Sequence, residues 1–234
     1  RLVLLGGAAA PPALLDDAAA AGVPVAVTYG LTEAASQVAT LLPVSTRRKP
    51  GSAGRPLLFT TVTIVDDAGT ALPPDSPGEI VVSGPTVMAG YYDDPLATDA
   101  TIRSTRLYTG DIGYLDQDGD LWVLDRRSDL IVSGGENIYP AEVERVLREH
   151  PAVAMACVVG VPHPDWGQQV AAVVTLTHPN AVHEEELLNH CRARLAGYKR
   201  PRVLYVSDTL PQTASGKIQR RAVAEQLLAR QEMA

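Results

Sequence analysis

The sequence is poor in aromatic residues, in cysteine and in excess positive charge, and each shortage excludes a class of function. Aromatic residues make up 5% of its 234 residues, with a single Phe. The net charge is −7, so the chain lacks the basic surface that nucleic acids and anionic membranes attract. No apolar run approaches the roughly 20 residues that cross a bilayer. We therefore expect no nucleic-acid partner and no membrane span.

Cysteine is scarce enough to exclude a disulfide framework. Cys157 lies in an apolar run and Cys191 in a helical pattern, far apart in the sequence. Both are typical of small buried hydrophobic residues in a reducing compartment, so we predict a cytoplasmic protein. The chain starts at Arg1 and enters the apolar run Leu2–Leu5 at once. We expect it to be a piece of a longer protein.

Hydrophobic residues make up 46% of the chain, which is enough for one large core or two small ones. The first part predicts a strand at Leu2–Leu5, a helix at Pro12–Ala21 and a strand at Val23–Thr28. A strand–helix–strand succession indicates a parallel sheet of the α/β class. From about Gly54, short β-rich runs alternate with turn clusters, which favours a small antiparallel sheet or barrel.

A second unit begins near Asp129 and follows an α+β pattern. Its predicted strands are Leu130–Ser133, Val153–Val161, Val170–Thr177 and Pro201–Val206, and its predicted helices are Pro140–Glu149, Glu184–Leu195 and Arg220–Arg230. The first helix would bury Val143, Val146 and Leu147, and the second would bury Leu187, Leu188, Cys191 and Leu195. We therefore predict two domains, 1–126 and 127–234, of α/β and α+β class.

Lys217 lies in the segment Pro-Gln-Thr-Ala-Ser-Gly-Lys-Ile, residues 211–218. A lysine on a glycine-hinged turn can deliver its charge to a phosphate or a carboxylate. The segment is not a phosphate-binding P-loop, because Pro211 stands where that motif needs Gly and Ile218 where it needs Ser or Thr. Lys217 therefore belongs to a different nucleotide chemistry, or it is a solvated loop residue.

The segment Tyr29-Gly30-Leu31-Thr32-Glu33 directly follows a predicted parallel strand. Ligands of open α/β sheets bind beyond the carboxyl ends of the strands. An aromatic ring there can stack on a flat ligand, and a threonine can donate to a phosphate. A glutamate beside a phosphate implies a divalent cation between the two anions. The alternative is a turn with incidental polar residues.

Two further glycine segments and several arginines are candidates for ligand contacts. Asp111, in Tyr108–Asp111, sits on a predicted glycine turn, where its carboxylate can accept from ribose hydroxyls; the alternative is a turn cap. Gly134-Gly135 would let the backbone approach a ligand closely, or would form a tight strand-to-helix turn. Arg126 can reach ribose or phosphate, or pair with a surface carboxylate. The group Lys199, Arg200 and Arg202 is a solvated face or a contact for an anionic ligand.

Taken in this order, the motifs resemble those of the adenylate-forming superfamily of acyl-CoA synthetases, peptide-synthetase adenylation domains and luciferases. The matching segments are Tyr29–Glu33, Tyr108–Asp111, Asp125–Glu144 and Pro211–Arg221. The resemblance covers essentially the whole chain but only the later half of the family pattern. It implies the end of a large parallel-sheet and β-barrel adenylating domain, followed by a small mobile α+β domain.

The resemblance also implies roles for individual residues. Gly6 and Gly7 resemble the backbone beside adenine and the acyl pocket, and Tyr29 with Gly30 the adenine-stacking segment. Thr32 is similar to a phosphate contact, and Glu33 to the Mg²⁺ ligand. Asp111 and Arg126 match the ribose-binding pair. Lys217 resembles the catalytic lysine, Gly134 and Gly135 the pantetheine-tunnel loop, and Arg127-Ser128-Asp129 the hinge, where many relatives carry Asp or Lys in place of Ser128.

The implied reaction is a two-step acid–thiol ligation with ATP, Mg²⁺ and coenzyme A. A carboxylate attacks the α-phosphate of ATP, and the coenzyme A thiol then displaces AMP. The mobile domain would present Lys217 for the first step and the glycine loop for the second.

The local sequence is most similar to o-succinylbenzoate–CoA ligases of menaquinone synthesis, in which Ser36 would face the aryl acid. Alternatives are another aryl- or fatty-acyl-CoA synthetase, a module that loads a carrier protein, and a non-catalytic fragment that lacks the phosphate-binding loop. The implied partners are a small carboxylic acid, ATP and CoA, with a homo-oligomer as a further possibility.

Overall fold

Three β-sheets organise the residues that this computed structural model describes, which are 1–7, 10, 12–46, 48–214 and 216–232. They form two compact units, Arg1–Arg127 and Ser128–Ala234. That these units act as the two predicted domains, 1–126 and 127–234, stays a prediction. No helix within the described ranges is long and apolar enough to cross a bilayer.

The first sheet has the order β1-β2-β3-β4. Its strands are β1 (Val3–Leu5), β2 (Val25–Tyr29), β3 (Ala39–Leu41) and β4 (Arg55–Pro56), and α1 (Pro12–Ala20) connects the first two. Strands β1 and β2 are parallel, whereas β2–β3 and β3–β4 are antiparallel. The predicted strand–helix–strand unit with a parallel pair is therefore confirmed, and the chain leaves β2 at the edge where ligands of α/β sheets bind.

The second sheet is entirely antiparallel, as the run of turn clusters predicted. Its order is β5-β6-β8-β7, and β9 also pairs with β8. The strands are β5 (Thr61–Val65), β6 (Gly78–Ser83), β7 (Ile102–Arg103), β8 (Arg106–Leu115) and β9 (Leu121–Arg126). Of the two short helices, α2 (Pro43–Thr46) contacts β2 of the first sheet, and α3 (Pro95–Thr101) contacts β7 and β8. A buried cluster that includes Val62, Ile64, Ile80 and Leu107 also takes in Ala34, Val38 and Ala39 from the β2–β3 region. This shared core fixes the loop after β2 against the second sheet.

The prediction of a glycine turn at Tyr108–Asp111 is wrong, because the whole segment lies inside strand β8. The pairing of β6 with β8 shifts register between Glu79 and Val81, so the segment forms a β-bulge. Gly110 has φ +70°, a left-handed value that bulges often place on glycine. The bulge, rather than a turn, redirects the Asp111 side chain.

The second unit is built on one five-stranded sheet, which confirms the α+β prediction. Its strands are β10 (Ile131–Ser133), β11 (Glu136–Ile138), β12 (Val153–His163), β13 (Gly167–Leu176) and β14 (Val203–Val206), and its helices are α4 (Pro140–Arg148), α5 (Glu184–Arg192) and α6 (Arg220–Glu232). The long antiparallel pair β12–β13 forms the centre, and β14 pairs with β13 in parallel.

Alternate residues of β12 and β13 point to opposite faces of this sheet and pack into two hydrophobic cores, one on each face, as the two-residue period of a strand requires. One core packs Val158 and Ala172 against α4 and α5 and contains Cys191. The other packs Cys157 and Val159 against α6. Both cysteines are buried and free, so the prediction of small buried residues without a disulfide is confirmed.

Candidate functional site

The loop after β2 folds back tightly on itself because residue 30 is glycine. The Val38 N–H donates to the Tyr29 carbonyl at 2.8 Å and closes the loop. A Cβ atom at position 30 would lie 1.5 Å from the Ser36 carbonyl oxygen, so no other residue fits without moving the loop. The loop also holds Ala35 at φ +50° and Ser36 at φ +92°. Non-glycine residues in this region are strained, and such strain is often found at ligand sites.

Three predicted site residues meet at the base of this loop. The Tyr29 hydroxyl donates to Asp111 Oδ2 at 2.6 Å, and Arg126 Nε lies 3.4 Å from Asp111 Oδ1. Asp111 is 7% exposed. It occupies the β8 bulge directly opposite Arg126 in the β8–β9 register. Two strands and the end of β2 thus orient one buried carboxylate.

The Tyr29 phenol is held in its protonated form. Burial and the negative charge of Asp111 raise the pKa of Tyr29 well above its usual range. The phenol therefore acts as a fixed donor that orients Asp111, and it does not exchange protons near neutral pH. Hydrogen bonds to ionised groups are among the stronger ones in proteins.

Glu33 lies one turn further along, in a short 3₁₀ helix at Thr32–Ala34. The Tyr91 hydroxyl donates to Glu33 Oε1 at 2.9 Å, and the Met88 N–H donates to the Glu33 carbonyl at 2.8 Å. Burial and Glu33 raise the pKa of Tyr91, so this phenol also stays a donor. Thr32 is exposed beside Glu33. The sequence interpretation missed Tyr91, although the pair Tyr91-Tyr92 after Gly90 in an aromatic-poor chain was a usable signal.

Gly6 and Gly7 end strand β1 for two different steric reasons. A Cβ atom at Gly6 would lie 2.6 Å from Thr28 Cγ2 on the paired strand β2. Gly7 has φ +88°, and no atom of the described residues lies within 4 Å of its Cβ position. The first glycine allows close strand packing and the second a left-handed turn.

Lys217 closes a small hairpin in the second unit. Gln212 and Ile218 form an antiparallel bridge, and the Thr213 N–H donates to the Lys217 carbonyl at 2.8 Å. The tip contains Gly216 at φ +81°; Ser215 lies outside the described residues. The Lys217 side chain is exposed, and no acidic side chain among the described residues forms an ion pair with it. The hairpin therefore presents an ammonium group to solvent.

Gly134 and Gly135 form the turn of a β-hairpin between β10 and β11, which corrects the alternative of a strand-to-helix turn. Their φ values are +59° and +86°, and Ser133 pairs with Glu136 across them. Two successive left-handed residues are typical of a two-residue hairpin turn. The Gly134 N–H donates to the Trp166 carbonyl at 3.0 Å.

A cationic aromatic stack that the sequence interpretation did not find stands next to this turn. The rings of His163 and Trp166 stack with centroids 4.3 Å apart. The guanidinium of Arg202 lies 4.8 Å from the centroid of the Trp166 ring. The sequence predicts Lys199, Arg200 and Arg202 as a solvated face or a contact for an anionic ligand. In the structure Lys199 pairs with Glu142 at 2.7 Å, whereas Arg202 lies over the Trp166 ring.

The chain is similar to known proteins over nearly its whole length. It is 50% identical to a 2-succinylbenzoate–CoA ligase from Geobacillus sp. strain WCH70 over 96% of the chain and 46% of that protein. The solved o-succinylbenzoate CoA synthetase of Bacillus subtilis in complex with its acyl-adenylate intermediate is 48% identical, with a TM-score of 0.89 over 95% of this chain and 46% of that one. Amide bond synthetase McbA from Marinactinospora thermotolerans is 36% identical, with a TM-score of 0.89 over 97% and 46% of the two chains.

The chain thus spans about half the length of the relatives that it matches. Two family models match it in succession. The model described as AMP-binding enzyme matches residues 1–92, and that of the AMP-binding enzyme C-terminal domain matches residues 142–217. The chain therefore belongs to the adenylate-forming AMP-binding enzymes, as the order of its motifs predicted.

Proposed function

We propose that this chain is the nucleotide-binding and lysine-bearing portion of an ATP-dependent acid–CoA ligase whose acid is o-succinylbenzoate. The observation that carries the proposal is the 48% identity, over 95% of the chain, to the Bacillus subtilis synthetase solved with the acyl-adenylate OSB-AMP. That enzyme has also been solved with ATP and a magnesium ion. The same ligands are therefore proposed here.

The first unit supplies the nucleotide contacts in this proposal. Asp111, oriented by Tyr29 and Arg126, accepts hydrogen bonds from the ribose hydroxyls. The closed loop that Gly30 permits presents the face of Tyr29 to adenine and the hydroxyl of Thr32 to a phosphate. A carboxylate already aligned before the ligand binds loses little conformational entropy on binding.

Glu33 is the proposed magnesium ligand, and its donor chemistry fits that role. Mg²⁺ prefers carboxylate oxygens at a partly hydrated site. The hydrogen bond from Tyr91 to Oε1 fixes the carboxylate, which is half-buried. When bound, the ion would reduce the negative charge of the phosphates. Glu33 would hold the ion at the loop proposed to bind the nucleotide.

Lys217 supplies the mobile positive charge of the first step. A carboxylate oxygen attacks the α-phosphorus of ATP, the bond from phosphorus to the bridging oxygen breaks, and pyrophosphate leaves. Two anions must approach in this step, and an ammonium group offsets both their repulsion and the charge that gathers on the phosphoryl oxygens. The exposed lysine of the hairpin meets this need.

In the second step the coenzyme A thiolate attacks the acyl carbon and expels AMP. Gly134 and Gly135 carry no side chains, so a pantetheine arm can pass close to their backbone. The adjacent stack of His163, Trp166 and Arg202 offers a flat face and a guanidinium. These groups suit the adenine and phosphates of a nucleotide, and we assign them to coenzyme A.

The decisive experiment joins this chain to the part of the Bacillus subtilis synthetase that it does not cover. The chimera is assayed for thioester formation from o-succinylbenzoate, ATP and coenzyme A. Lys217→Ala is expected to reduce adenylation, measured as pyrophosphate release, by about 10²–10³-fold, the usual cost of one donor to the transition state. The control is Arg221→Ala, which removes another exposed positive charge of the same segment.

Undiminished pyrophosphate release in Lys217→Ala would exclude the assigned role. A panel of aryl and fatty acids tests the acid, since the proposal requires o-succinylbenzoate to give the highest kcat/KM. An amine in place of coenzyme A tests the chemistry found in the related amide bond synthetase. The 234-residue chain on its own is expected to be inactive, and turnover by it would eliminate the alternative of a non-catalytic fragment.

A further inference from the structure

Arg220, the first residue of α6, joins three separate segments of the second unit. Its Nε donates to Asp129 Oδ2 at 3.1 Å. Its Nη1 donates to the Val158 carbonyl on β12 at 2.8 Å and to Glu144 Oε1 on α4. The planar guanidinium can hold such divergent partners at fixed angles, which a lysine ammonium cannot do.

Glu144 makes this junction a rigid one. Its side chain is buried, with 8% exposure of the residue. Its Oε1 also accepts from the Val158 N–H at 2.9 Å, so Val158 is held by the glutamate at its N–H and by Arg220 at its carbonyl. A buried carboxylate that loses its cationic partner is costly, and Arg220 is therefore confined to this position.

Arg220 lies immediately after the Lys217 hairpin, and only Ile218 and Gln219 separate it from Lys217 in the sequence. Gln219 is bonded back to the start of the hairpin, since its N–H donates to the Pro211 carbonyl at 2.8 Å and its Nε2 to the Gln212 carbonyl at 2.9 Å. Ile218 packs against the core on the α6 side of the sheet. The hairpin therefore has a closed stem whose C-terminal end is fastened by Arg220.

The same guanidinium fastens Asp129, the last residue of a 3₁₀ turn at Arg127–Asp129. The Ser128 hydroxyl donates to the other carboxylate oxygen of Asp129 at 3.3 Å. This turn is the segment predicted to act as the hinge. One side chain thus links the residue that leaves the hinge to the stem that carries the lysine.

We propose that Arg220 is a positioning residue for adenylation: through Asp129 and Glu144 it fixes the stem of the Lys217 hairpin relative to the hinge. The inference rests on the proposed function, since it concerns the step that Lys217 serves. Arg220 itself is not assigned a contact with substrate. A misplacement of about 1 Å at a distance from the reacting atoms can cost about 10²-fold in rate.

The test compares the two half-reactions of the chimera described above. Arg220→Gln is expected to reduce kcat for adenylation by about 10–100-fold with the KM for ATP unchanged. Thioester formation from supplied acyl-adenylate should change by less than about twofold, because that step does not use Lys217. Arg220→Lys should recover part of the loss, since a point charge can pair with Glu144 or Asp129 but cannot span both.

Arg221→Gln is the matched control, because Arg221 is the adjacent arginine and pairs with Glu225 on the exposed face of α6. Its adenylation rate should equal that of the parent. If Arg220→Gln does not fold, Asp129→Asn replaces it, because this change removes one ionic arm at a more exposed position and leaves Glu144 paired. The same half-reaction split is expected, with a smaller loss.

If Arg220→Gln reduced the rates of adenylation and thioester formation equally, or reduced neither, the inference would be overturned. Lys217→Ala tests the proposed function separately. If the parent chimera is inactive, the proposed function fails, and hydrogen exchange in the 234-residue chain then decides the structural part. Arg220→Gln should accelerate exchange of the Thr213, Gly216 and Lys217 amides, and Arg221→Gln should not. Unchanged protection in Arg220→Gln would overturn the claim that Arg220 holds the hairpin.

Discussion

Asp111 illustrates how a single buried carboxylate depends on its neighbours. The residue is 7% exposed, and the loss of ordered partners around a buried charge is costly in free energy. Tyr29 donates to it from the end of β2. Because burial and Asp111 raise the pKa of Tyr29 far above neutral, this donor is retained throughout the physiological pH range.

Replacing Tyr29 with Phe should therefore destabilise the first unit without changing its shape. We expect the free energy of unfolding to fall by about 1.5–3 kcal/mol, the range for a hydrogen bond to a charged group, as measured by urea denaturation. Tyr92→Phe is the control, since Tyr92 is fully exposed, with a relative accessibility of 101%. An equal effect of both changes would show that the hydroxyl of Tyr29 contributes nothing specific.

At the scale of elements, the turn between β8 and β9 is stabilised by the side chain of Lys49, which pairs with three aspartates of the turn. Lys49 Nζ lies 2.8 Å from Asp116 Oδ2, 2.8 Å from Asp118 Oδ2 and 2.5 Å from Asp120 Oδ2. Asp116 also accepts from Trp122 Nε1 at 2.9 Å. Burial would raise the pKa of Asp116, but the hydrogen bonds from Lys49 and Trp122 outweigh it and lower the pKa well below its usual value.

A carboxylate whose pKa is lowered by folding stabilises the fold above its unfolded pKa and loses this contribution as the pH falls. For Asp116 the loss begins near its ordinary pKa of 3.8. Lys49→Met removes the cation that pairs with Asp116, Asp118 and Asp120, so its Tm should be lower than that of the parent at pH 7. Protonation of Asp116 removes its ion pair with Lys49, so the difference in Tm should shrink as the pH falls below about 4.

Arg48→Met is the control for this prediction, because Arg48 is the adjacent exposed cation. Its Tm should follow that of the parent at every pH. A gap between Lys49→Met and the parent that stays constant from pH 7 to pH 3, in thermal melts followed by circular dichroism, would contradict the electrostatic account.

The elements that the sequence predicted well are those with strong periodicity. Strand β12, which contains Val158, and helix α4, which buries Val143 and Leu147, were predicted from unambiguous patterns. The apolar residues of each element recur at the period of a strand or of a helix, respectively. The turn predicted at Tyr108–Asp111 was wrong because a glycine in a bulge has the same local signature as a glycine in a turn. The three-residue strands β3 and β11 were not predicted, because no glycine pair follows them as one follows β1 and β10.

The contacts of the candidate site were less predictable than its members. The motif order identified Tyr29, Asp111 and Arg126 as one family set, but their bonding depends on the β8–β9 register, which no local pattern records. The bond between Tyr91 and Glu33 joins residues 58 positions apart. Such pairings arise from the packing of separate segments, so they became visible only in the structure.

At the scale of the whole molecule, we expect the two compact units to unfold in two separate transitions. One tryptophan in each unit can report its unfolding by fluorescence. The chain has two tryptophans, Trp122 in the first unit and Trp166 in the second. Trp166→Phe leaves fluorescence from the first unit alone, and Trp122→Phe leaves it from the second. Contacts that cluster within units favour separate cooperative transitions over a single one.

Cys191 gives the second unit a pH dependence of its own. Burial raises the pKa of Cys191 from its ordinary 9.0 to about 11. The unfolded chain therefore releases this proton at lower pH than the folded chain, so the stabilisation is complete below pH 9 and is lost as the pH rises towards 11. Between pH 9 and pH 10 the free energy of unfolding reported by Trp166 should fall by about 1 kcal/mol. Cys191→Ala should remove this dependence, and a slope that survives the substitution would assign the alkaline loss to another group.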